Sequence, residues 1–416
     1  MAKLKTTFFC QSCGAQYAKW QGQCTSCKSW NTIVEELIKK PEKVAWKTSS
    51  NSAKERVSTP LKISEIDTTK TPRLDTTDAE LNRVLGGGIV PGSLILLGGE
   101  PGIGKSTLML QLSLKLPYKT LYISGEESQK QIKLRAERIH PSSEQCYILT
   151  ETKTQYIFKQ IEDLAPDILV IDSIQTMVTD ISSSAPGSVT QVRDCAAQLT
   201  QYAKQTNTVL LLIGHVTKGG ALAGPRILEH MVDAVLYFEG DPGGRYRIIR
   251  AVKNRFGAVN EISVFAMGEK GLQQISNPSS IFLSNQENPS SGSMVMVTRE
   301  ATRPLLVEIQ ALVDQANGNP KRVSVGLDQN RLSLQLAILH KHSGISTFDQ
   351  DVFINVVGGI KVSETASDLV VMLAIVSSLR DKVVPNNWIA FGEVGLTGEV
   401  RPVYNAMERL SEAQKQ

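Results

Sequence analysis

Unbroken apolar runs recur along the first two thirds of the chain, each closed by glycine, aspartate or other polar residues. Residues 94–97 (Leu-Ile-Leu-Leu), 168–171 (Ile-Leu-Val-Ile) and 209–213 (Val-Leu-Leu-Leu-Ile) show no alternation, the pattern of strands buried on both faces. A further strand is expected within 118–128 and a fifth over 234–238. Helical stretches such as 108–116 and 189–204 fall between them, which predicts a mostly parallel sheet with helices on both faces. After about residue 292 the order changes: 305–311, 322–325 and 352–357 read as strands and 366–378 as a largely apolar helix. Residues 35–59 are charged and polar, with Lys39, Lys40, Lys43, Lys47 and Lys54 and no sustained period, as in a tether. The predicted organisation is α/β: a small module over 1–34, a linker over 35–59, an α/β core over 60–285 and an α+β domain over 286–416.

Composition adds bounds. A chain of 416 residues, 41% hydrophobic, fills two or three cores. With 45 basic and 41 acidic side chains the net charge is only +4, too small to identify a nucleic-acid binder, so local placement must carry that argument. Residues 1–9 lack the apolar stretch of a secretion signal, and no later run approaches the roughly 20 apolar residues that span a bilayer. A cytoplasmic protein without membrane contact is expected.

Cysteine use is uneven. Cys10-Gln-Ser-Cys13 and Cys24-Thr-Ser-Cys27 form paired Cys-x-x-Cys knuckles, and four thiolates make the soft tetrahedral site of structural Zn2+. Some thirty residues hold too little apolar material to fold unaided, so the metal would supply much of their folding free energy. An iron–sulfur or redox dithiol site is the alternative. Trp20, Trp30, Tyr17 and Lys19 offer a surface for nucleic acid or a protein partner, or else rings that cover the metal. Cys146 and Cys195 stand alone in apolar or helical surroundings and read as core thiols.

Gly99-Glu-Pro-Gly-Ile-Gly-Lys-Ser106 completes the pattern G-x-x-x-x-G-K-[ST] between a buried strand and a helix start. The candidate ATP-binding residues are Gly99, Glu100, Pro101, Gly102, Ile103, Gly104, Lys105, Ser106 and Thr107. Glycines let backbone N–H groups close around phosphate oxygens, Lys105 bridges the β- and γ-phosphates, and Ser106 ligates Mg2+. Asp172, at the end of the 168–171 strand, is placed to meet the Mg2+ shell. Adjacent Glu126 and Glu127 follow another strand, and Glu126 is the first choice for orienting the attacking water. His215 ends a third strand before a glycine-containing loop and is a candidate γ-phosphate sensor, or else a general base. Residues 180–188, rich in Ser, Gly and Pro, read as a loop on the ligand side.

Together, the four cysteines, the phosphate loop, Gly214-His-Val-Thr-Lys218 and Lys253-Asn-Arg-Phe-Gly257 resemble the bacterial RadA (Sms) family of recombination and repair proteins. That resemblance implies a RecA-like ATPase core that assembles as a homo-hexameric ring. It implies a motor for branch migration on single-stranded and branched DNA, working beside a RecA-type recombinase. It places Lys253 and Arg255 near an intersubunit nucleotide or DNA-responsive site. Candidate DNA contacts are Arg193, Lys218 and Arg226, through phosphates and hence with little sequence choice. Gly219-Gly220 stands where the family usually has an acidic residue before glycine. A nucleotide-dependent mediator that loads a recombinase without translocating is the competing expectation.

The last third is similar to the proteolytic domain of Lon. At the family's nucleophile position stands Ala366, with Ser367 displaced by about 100 degrees on a helix, and Met407 occupies the position of the catalytic lysine. A serine–lysine dyad needs both groups, so a scaffold rather than a protease is expected. Lys321, Arg322, Arg331, His340, Lys341 and His342 offer phosphate contacts or an ordinary solvated face. Residues 404–416 read as the first part of a helix, as if the domain were truncated or shortened.

Overall fold

The computed structural model describes residues 5–10, 15–38, 62, 73–139, 143–182, 184–215, 227–240, 245–275, 278–283, 290–300, 302–359, 361–385 and 387–415. The chain divides into two compact units, Met1–Ile275 and Ser276–Gln416.

The first unit begins with a small sheet in which β1 (Lys5–Cys10) pairs antiparallel with β2 (Gln16–Tyr17) and β3 (Ile33–Ile38). Helix α1 (Ala79–Val84) follows, its first-turn amides accepted by the Asp78 carboxylate, which caps it. The larger sheet is then laid down as β4 (Leu94–Gly99), α2 (Lys105–Lys115), β5 (Thr120–Ser124), α3 (Gln129–Ile139), β6 (Cys146–Thr150), α4 (Thr154–Leu164), β7 (Ile168–Asp172), α5 (Val189–Thr206), β8 (Val209–Ile213), α6 (Ile227–Met231), β9 (Ala234–Glu239), β10 (Tyr246–Asn254), β11 (Ile262–Gly268) and β12 (Gly271–Gln274).

Strand order is β12-β11-β10-β9-β4-β8-β7-β5-β6. From β9 to β6 every pairing is parallel, and β10, β11 and β12 extend the sheet antiparallel. The apolar runs therefore have their expected cause: β4, β5, β7 and β8 are buried along their whole length, so both side-chain faces must be apolar. One face packs Leu81, Leu108, Leu112 and Ile132 from α1, α2 and α3. The other packs Ile157, Phe158, Val192, Leu199 and Leu228 from α4, α5 and α6. The sheet is thus the middle layer of three, and its strand tips are left for chemistry. Residues 180–182 and 184–188 fall outside any helix or strand, in the loop before α5.

The second unit holds β13 (Ser293–Glu300), β14 (Arg303–Gln315), β15 (Arg322–Val325), α7 (Gln329–Ser343), β16 (Gln350–Val356), α8 (Ser367–Leu379), β17 (Glu393–Val394), β18 (Val400–Arg401) and α9 (Ala406–Ala413). Its main sheet runs β13-β14-β16-β15, antiparallel except for β15 with β16. Val370, Val371, Ala374 and Ile375 of α8 are buried, as are Met296, Val307, Ile309 and Ile354 of the sheet, and α8 packs on β13 and β14. Asp368, at the start of α8, is buried and accepts Arg331 Nε at 2.5 Å, Arg331 Nη2 at 2.6 Å, Gln335 Nε2 at 2.8 Å and Val394 N at 3.1 Å. Four donors on one carboxylate meet the cost of burying its charge. Arg331 is engaged inside the unit by these bonds, and Arg322 donates to the carbonyls of Lys321, Thr347 and Gln350. His342 Nε2 lies 2.9 Å from Leu396 O; Lys321, His340 and Lys341 are exposed. Ala366 and Ser367 are both buried, and the Ser367 hydroxyl donates to Glu364 O at 2.8 Å.

Among the described residues no helix is long and apolar enough to cross a membrane.

Candidate functional site

The tips of four parallel strands meet at one end of the large sheet. Gly99 ends β4, and Glu100, Pro101, Gly102 and Ile103 turn the chain into Gly104, after which Lys105, Ser106 and Thr107 open α2. Gly104 has φ +117, and a Cβ there would strike Met267 Cε, so only glycine brings the backbone around this turn. No side chain caps the start of α2, which leaves its first-turn amides and the positive end of its dipole for an anion. The cradle fits a phosphate chain.

Lys105 is buried, and its Nζ donates to Gly99 O and Glu100 O, both at 2.8 Å. These carbonyls hold the ammonium over the loop, where phosphate oxygens compete for the same donors. Burial brings the amine down to about 8, against the pull of Asp172, Glu126 and Glu100 toward the charged form. A bound polyphosphate favours the ammonium, so nucleotide binding is expected to take up about one proton at pH 9 and far less at pH 7. Calorimetry in buffers of different ionisation enthalpy reads this directly, and Lys105→Met should abolish the uptake.

Asp172 ends β7 beside Ser124 of β5. Its Oδ2 accepts a hydrogen bond from the hydroxyl of Tyr122, which is fully buried on β5. Burial first and the Asp172 charge second hold the phenol well above its usual range, although nearby Arg135 pulls the other way. Tyr122 is thus a permanent donor that fixes one carboxylate oxygen, and the other would be left for a metal shell if Asp172 is the expected Mg2+ ligand. A partner behind a metal ligand commonly governs affinity or activity by 10- to 100-fold. Tyr122→Phe is expected to raise the Mg2+ concentration for half-maximal ATP hydrolysis about tenfold, read from a magnesium titration; an unchanged midpoint would reduce the hydroxyl to a packing role.

Glu126 and Glu127 lie just past β5, with both amides directed at Ser124 Oγ. Their side chains part. Glu126 Oε1 accepts Ser173 Oγ at 2.6 Å and lies 3.3 Å from His215 Nε2, whereas Glu127 pairs with Arg135 of α3. Glu126 is therefore the carboxylate that faces the tips of β7 and β8. His215 Nδ1 is buried and has no partner among the described residues, an unsatisfied polar atom beside the phosphate loop.

Lys253 and Arg255 sit elsewhere. Strand β10 runs antiparallel to β9 with Asn254 opposite Ala234, whereas Gly99 pairs with Phe238 at the other end of β9. The pentapeptide is therefore roughly 13 Å along the sheet from the phosphate loop of its own chain. There Lys253 Nζ donates to Glu229 O at 2.6 Å and Val232 O at 2.7 Å, and burial, then Arg255, lowers its pKa. Arg255 Nη1 lies 3.3 Å from the buried carboxylate of Asp233 and keeps 61% of its side chain exposed. Asn254 Nδ2 donates to Val84 O at 3.0 Å, and a Cβ on Gly257 would collide with Gly86 Cα. Arg193 of α5 lies with its guanidinium 5.6 Å from the Phe9 ring centroid and pairs with Asp194 at 2.9 Å. Lys218 and Arg226 lie outside the described residues.

At the N-terminus the thiols of Cys10, Cys24 and Cys27 lie within 4.8 Å of one another, with Cys10 and Cys27 sulfurs 3.6 Å apart; Cys13 lies outside the described residues. A zinc–thiolate tetrahedron has edges of about 3.8 Å, so the cluster has the right size and donor chemistry. The Cys27 amide donates to Cys24 Sγ at 3.4 Å and Tyr17 Oη lies 3.0 Å from it, contacts suited to a thiolate. About one zinc per chain is expected by elemental analysis, and Cys24→Ser should lose both the metal and the module's fold. Cys195 is buried, and burial, then Asp194, pushes its thiol up to about 12; burial pushes the half-buried Cys146 up to about 11. Both are poor nucleophiles at neutral pH.

Family models agree with this division. One described as "Rubredoxin metal binding domain" matches residues 8–35 and one described as "AAA domain" matches residues 59–221. The chain is 52% identical to the DNA repair protein RadA of Pseudomonas aeruginosa over 100% of its own length and 92% of that protein. It is 52% identical to the DNA repair protein RadA of Escherichia coli, with 92% of that protein covered, and 50% identical to that of Bacillus subtilis, with 91% covered; both matches include 100% of this chain. The chain belongs to the RadA family. The expected RecA-like core on a mostly parallel sheet and the N-terminal zinc ribbon are both present.

Several contributors to the family's site escape a reading of sequence. Tyr122 sits inside an apolar strand, and nothing local marks its hydroxyl as a partner of Asp172. Arg247, buried on β10, donates Nε to Ile103 O at 2.9 Å and so braces the phosphate loop from the antiparallel strands. A charged residue at an inward position of an alternating strand, Tyr246-Arg-Ile-Ile, is the one signal that could have revealed it.

Proposed function

We propose that this chain is an ATP-driven DNA motor that promotes branch migration of recombination intermediates during DNA repair, working as a homo-hexameric ring beside a RecA-type recombinase. The observation that carries the reading is the position of Glu126, bonded to Ser173 after β7 and close to His215 after β8. A carboxylate that orients the attacking water and also touches the first residues of both following segments gives hydrolysis a direct mechanical outlet.

With nucleotide and Mg2+ bound, the triphosphate supplies the scissile bond and the metal neutralises its developing charge. Lys105 and the amides at the start of α2 would grip the phosphates, Ser106 and Asp172 would hold Mg2+, and Glu126 would align water. His215 reports occupancy of the γ-position through Glu126. Lys253 and Arg255 lie too far along the sheet to serve their own chain's nucleotide, which supports a role toward a neighbouring subunit. Lys218 and Arg226, with Arg193, are the proposed DNA contacts, through phosphates. The second unit, Lon-like without its serine–lysine dyad, serves as a scaffold for assembly or DNA.

The test is a three-strand joint supplied without recombinase. The motor reading expects ATP-dependent extension of the joint in one direction. Extension only in the presence of a recombinase would assign the chain to loading instead.

A further inference from the structure

We propose that Trp20 and Trp30 form a stacking platform for the unpaired bases of single-stranded nucleic acid. The core of the zinc module is not built from these rings. Its core is Cys10, Cys24 and Ile33, with Phe8, Ala15 and Tyr17 packed against it, and Tyr17 is the ring that reaches the metal thiols. Trp20 and Trp30 remain 59% and 68% exposed. Large aromatic side chains left in water at this level mark a contact surface.

The pair is also held in place. Asn31 N donates to Gly22 O at 2.8 Å, and Gln23 bridges Trp30, which fastens the two segments together. Trp20 Nε1 donates to Ile33 O at 3.0 Å, which satisfies its only polar atom and fixes the ring. A Cβ built on Gly22 would lie 3.8 Å from Trp30 Cζ3 and 3.9 Å from Trp20 Cη2. The two six-membered rings therefore flank a residue with no side chain, and a larger residue would fill the space between them.

Charge selects the partner. No aspartate or glutamate occurs between Met1 and Val34, whereas Lys3, Lys5, Lys19 and Lys28 do; Glu35 and Glu36 follow on β3, and Lys19 and Lys28, on the segment that carries the indoles, are exposed. Cores of protein interfaces are depleted in lysine. The segment 15–34, which carries the paired indoles, exposed lysines and no acidic residue, suits a polyanion whose units each present a π-face, and such binding tolerates any sequence. The proposal shares with the proposed function the premise that DNA is the partner, but not the premise of translocation.

The test uses the full-length, zinc-loaded chain without nucleotide, at raised salt, where phosphate contacts weaken. Probes are oligothymidylate of about 20 nucleotides and an abasic strand of equal length. Trp20→Ala/Trp30→Ala is expected to weaken oligothymidylate binding between about fivefold and 100-fold, with binding of the abasic strand unchanged, and phenylalanine at both positions should restore most of the loss. Zinc content is the folding control; if the double variant loses metal, Trp30→Ala alone carries the test, because no bond of its indole ties the module together among the described residues. A zinc-replete variant that binds oligothymidylate like the unaltered chain, or that loses both strands equally, would overturn the proposal. These readouts stand even if branch migration fails.

Discussion

Lys105→Ala is expected to lower ATP hydrolysis by at least about a hundredfold while leaving strand pairing intact and joint extension absent. The ammonium is held by two carbonyls at the mouth of the loop, where on the proposed reading it would stabilise charge developing between the β- and γ-phosphates. Alanine supplies no donor there, and residues 99–107 contain no other lysine or arginine. The loss should be catalytic rather than structural. Burial already disfavours the charged amine, so its removal relieves a desolvation cost in the nucleotide-free protein, and thermal stability without nucleotide should not fall. Steady-state hydrolysis with and without DNA, beside thermal unfolding, separates the two. Extension by the variant at the level of the unaltered protein would remove the basis of the motor reading.

Glu126→Gln is expected to retain nucleotide and Mg2+ binding and to lose hydrolysis by roughly 100- to 10,000-fold, the range for a positioned general base. Glu127→Gln should stay within a few-fold of the unaltered chain. The two residues are adjacent and chemically alike, so the comparison isolates geometry. Glu126 touches Ser173 and His215, whereas Glu127 is paired with Arg135 on α3. Single-turnover hydrolysis with nucleotide binding measured separately distinguishes the outcomes. An equal loss in both variants would mean that the pair acts as one charge cluster and that neither aligns water alone.

Much of this site is legible in the sequence, for a physical reason. A phosphate cradle restricts the backbone so severely that its residue types come in fixed order, and central parallel strands must be apolar on both faces; residues 94–97, 168–171 and 209–213 satisfy the second demand directly. Strands at the sheet margins carry weaker marks. β6 is only partly buried, and β10 alternates between exposed and buried positions, with Arg247, Arg250 and Lys253 among them. Such patterns resemble loops unless their period of two is counted. Lys253-Asn-Arg-Phe-Gly257 could be recognised as a motif, yet its location opposite the phosphate loop depends on β10 running antiparallel to β9. The Tyr122–Asp172 bond and the separate fates of Glu126 and Glu127 depend on strand register and side-chain direction. Local sequence encodes neither.

In the last third, the strands over 305–311 and 322–325 and the helix after Ala366 were anticipated because hydrophobic period suffices for them. The role of Arg331 was not. A basic residue on a helix reads as solvated, but this one faces a carboxylate buried at the start of α8, and only the fold brings Asp368 to it.

The central claim is that cleavage of a nucleotide gripped by Lys105, with its metal on Asp172 and its attacking water aligned by Glu126, drives strand movement. The most direct measurement follows ATP consumed and base pairs extended on one joint molecule in the same reaction, over a range of ATP concentrations. The account predicts that the two rise together in constant proportion and stop together when a non-hydrolysable analogue is added. Extension that continues with the analogue, or steady DNA-stimulated turnover with no extension under conditions where the proposed ring is seen to assemble, would contradict it.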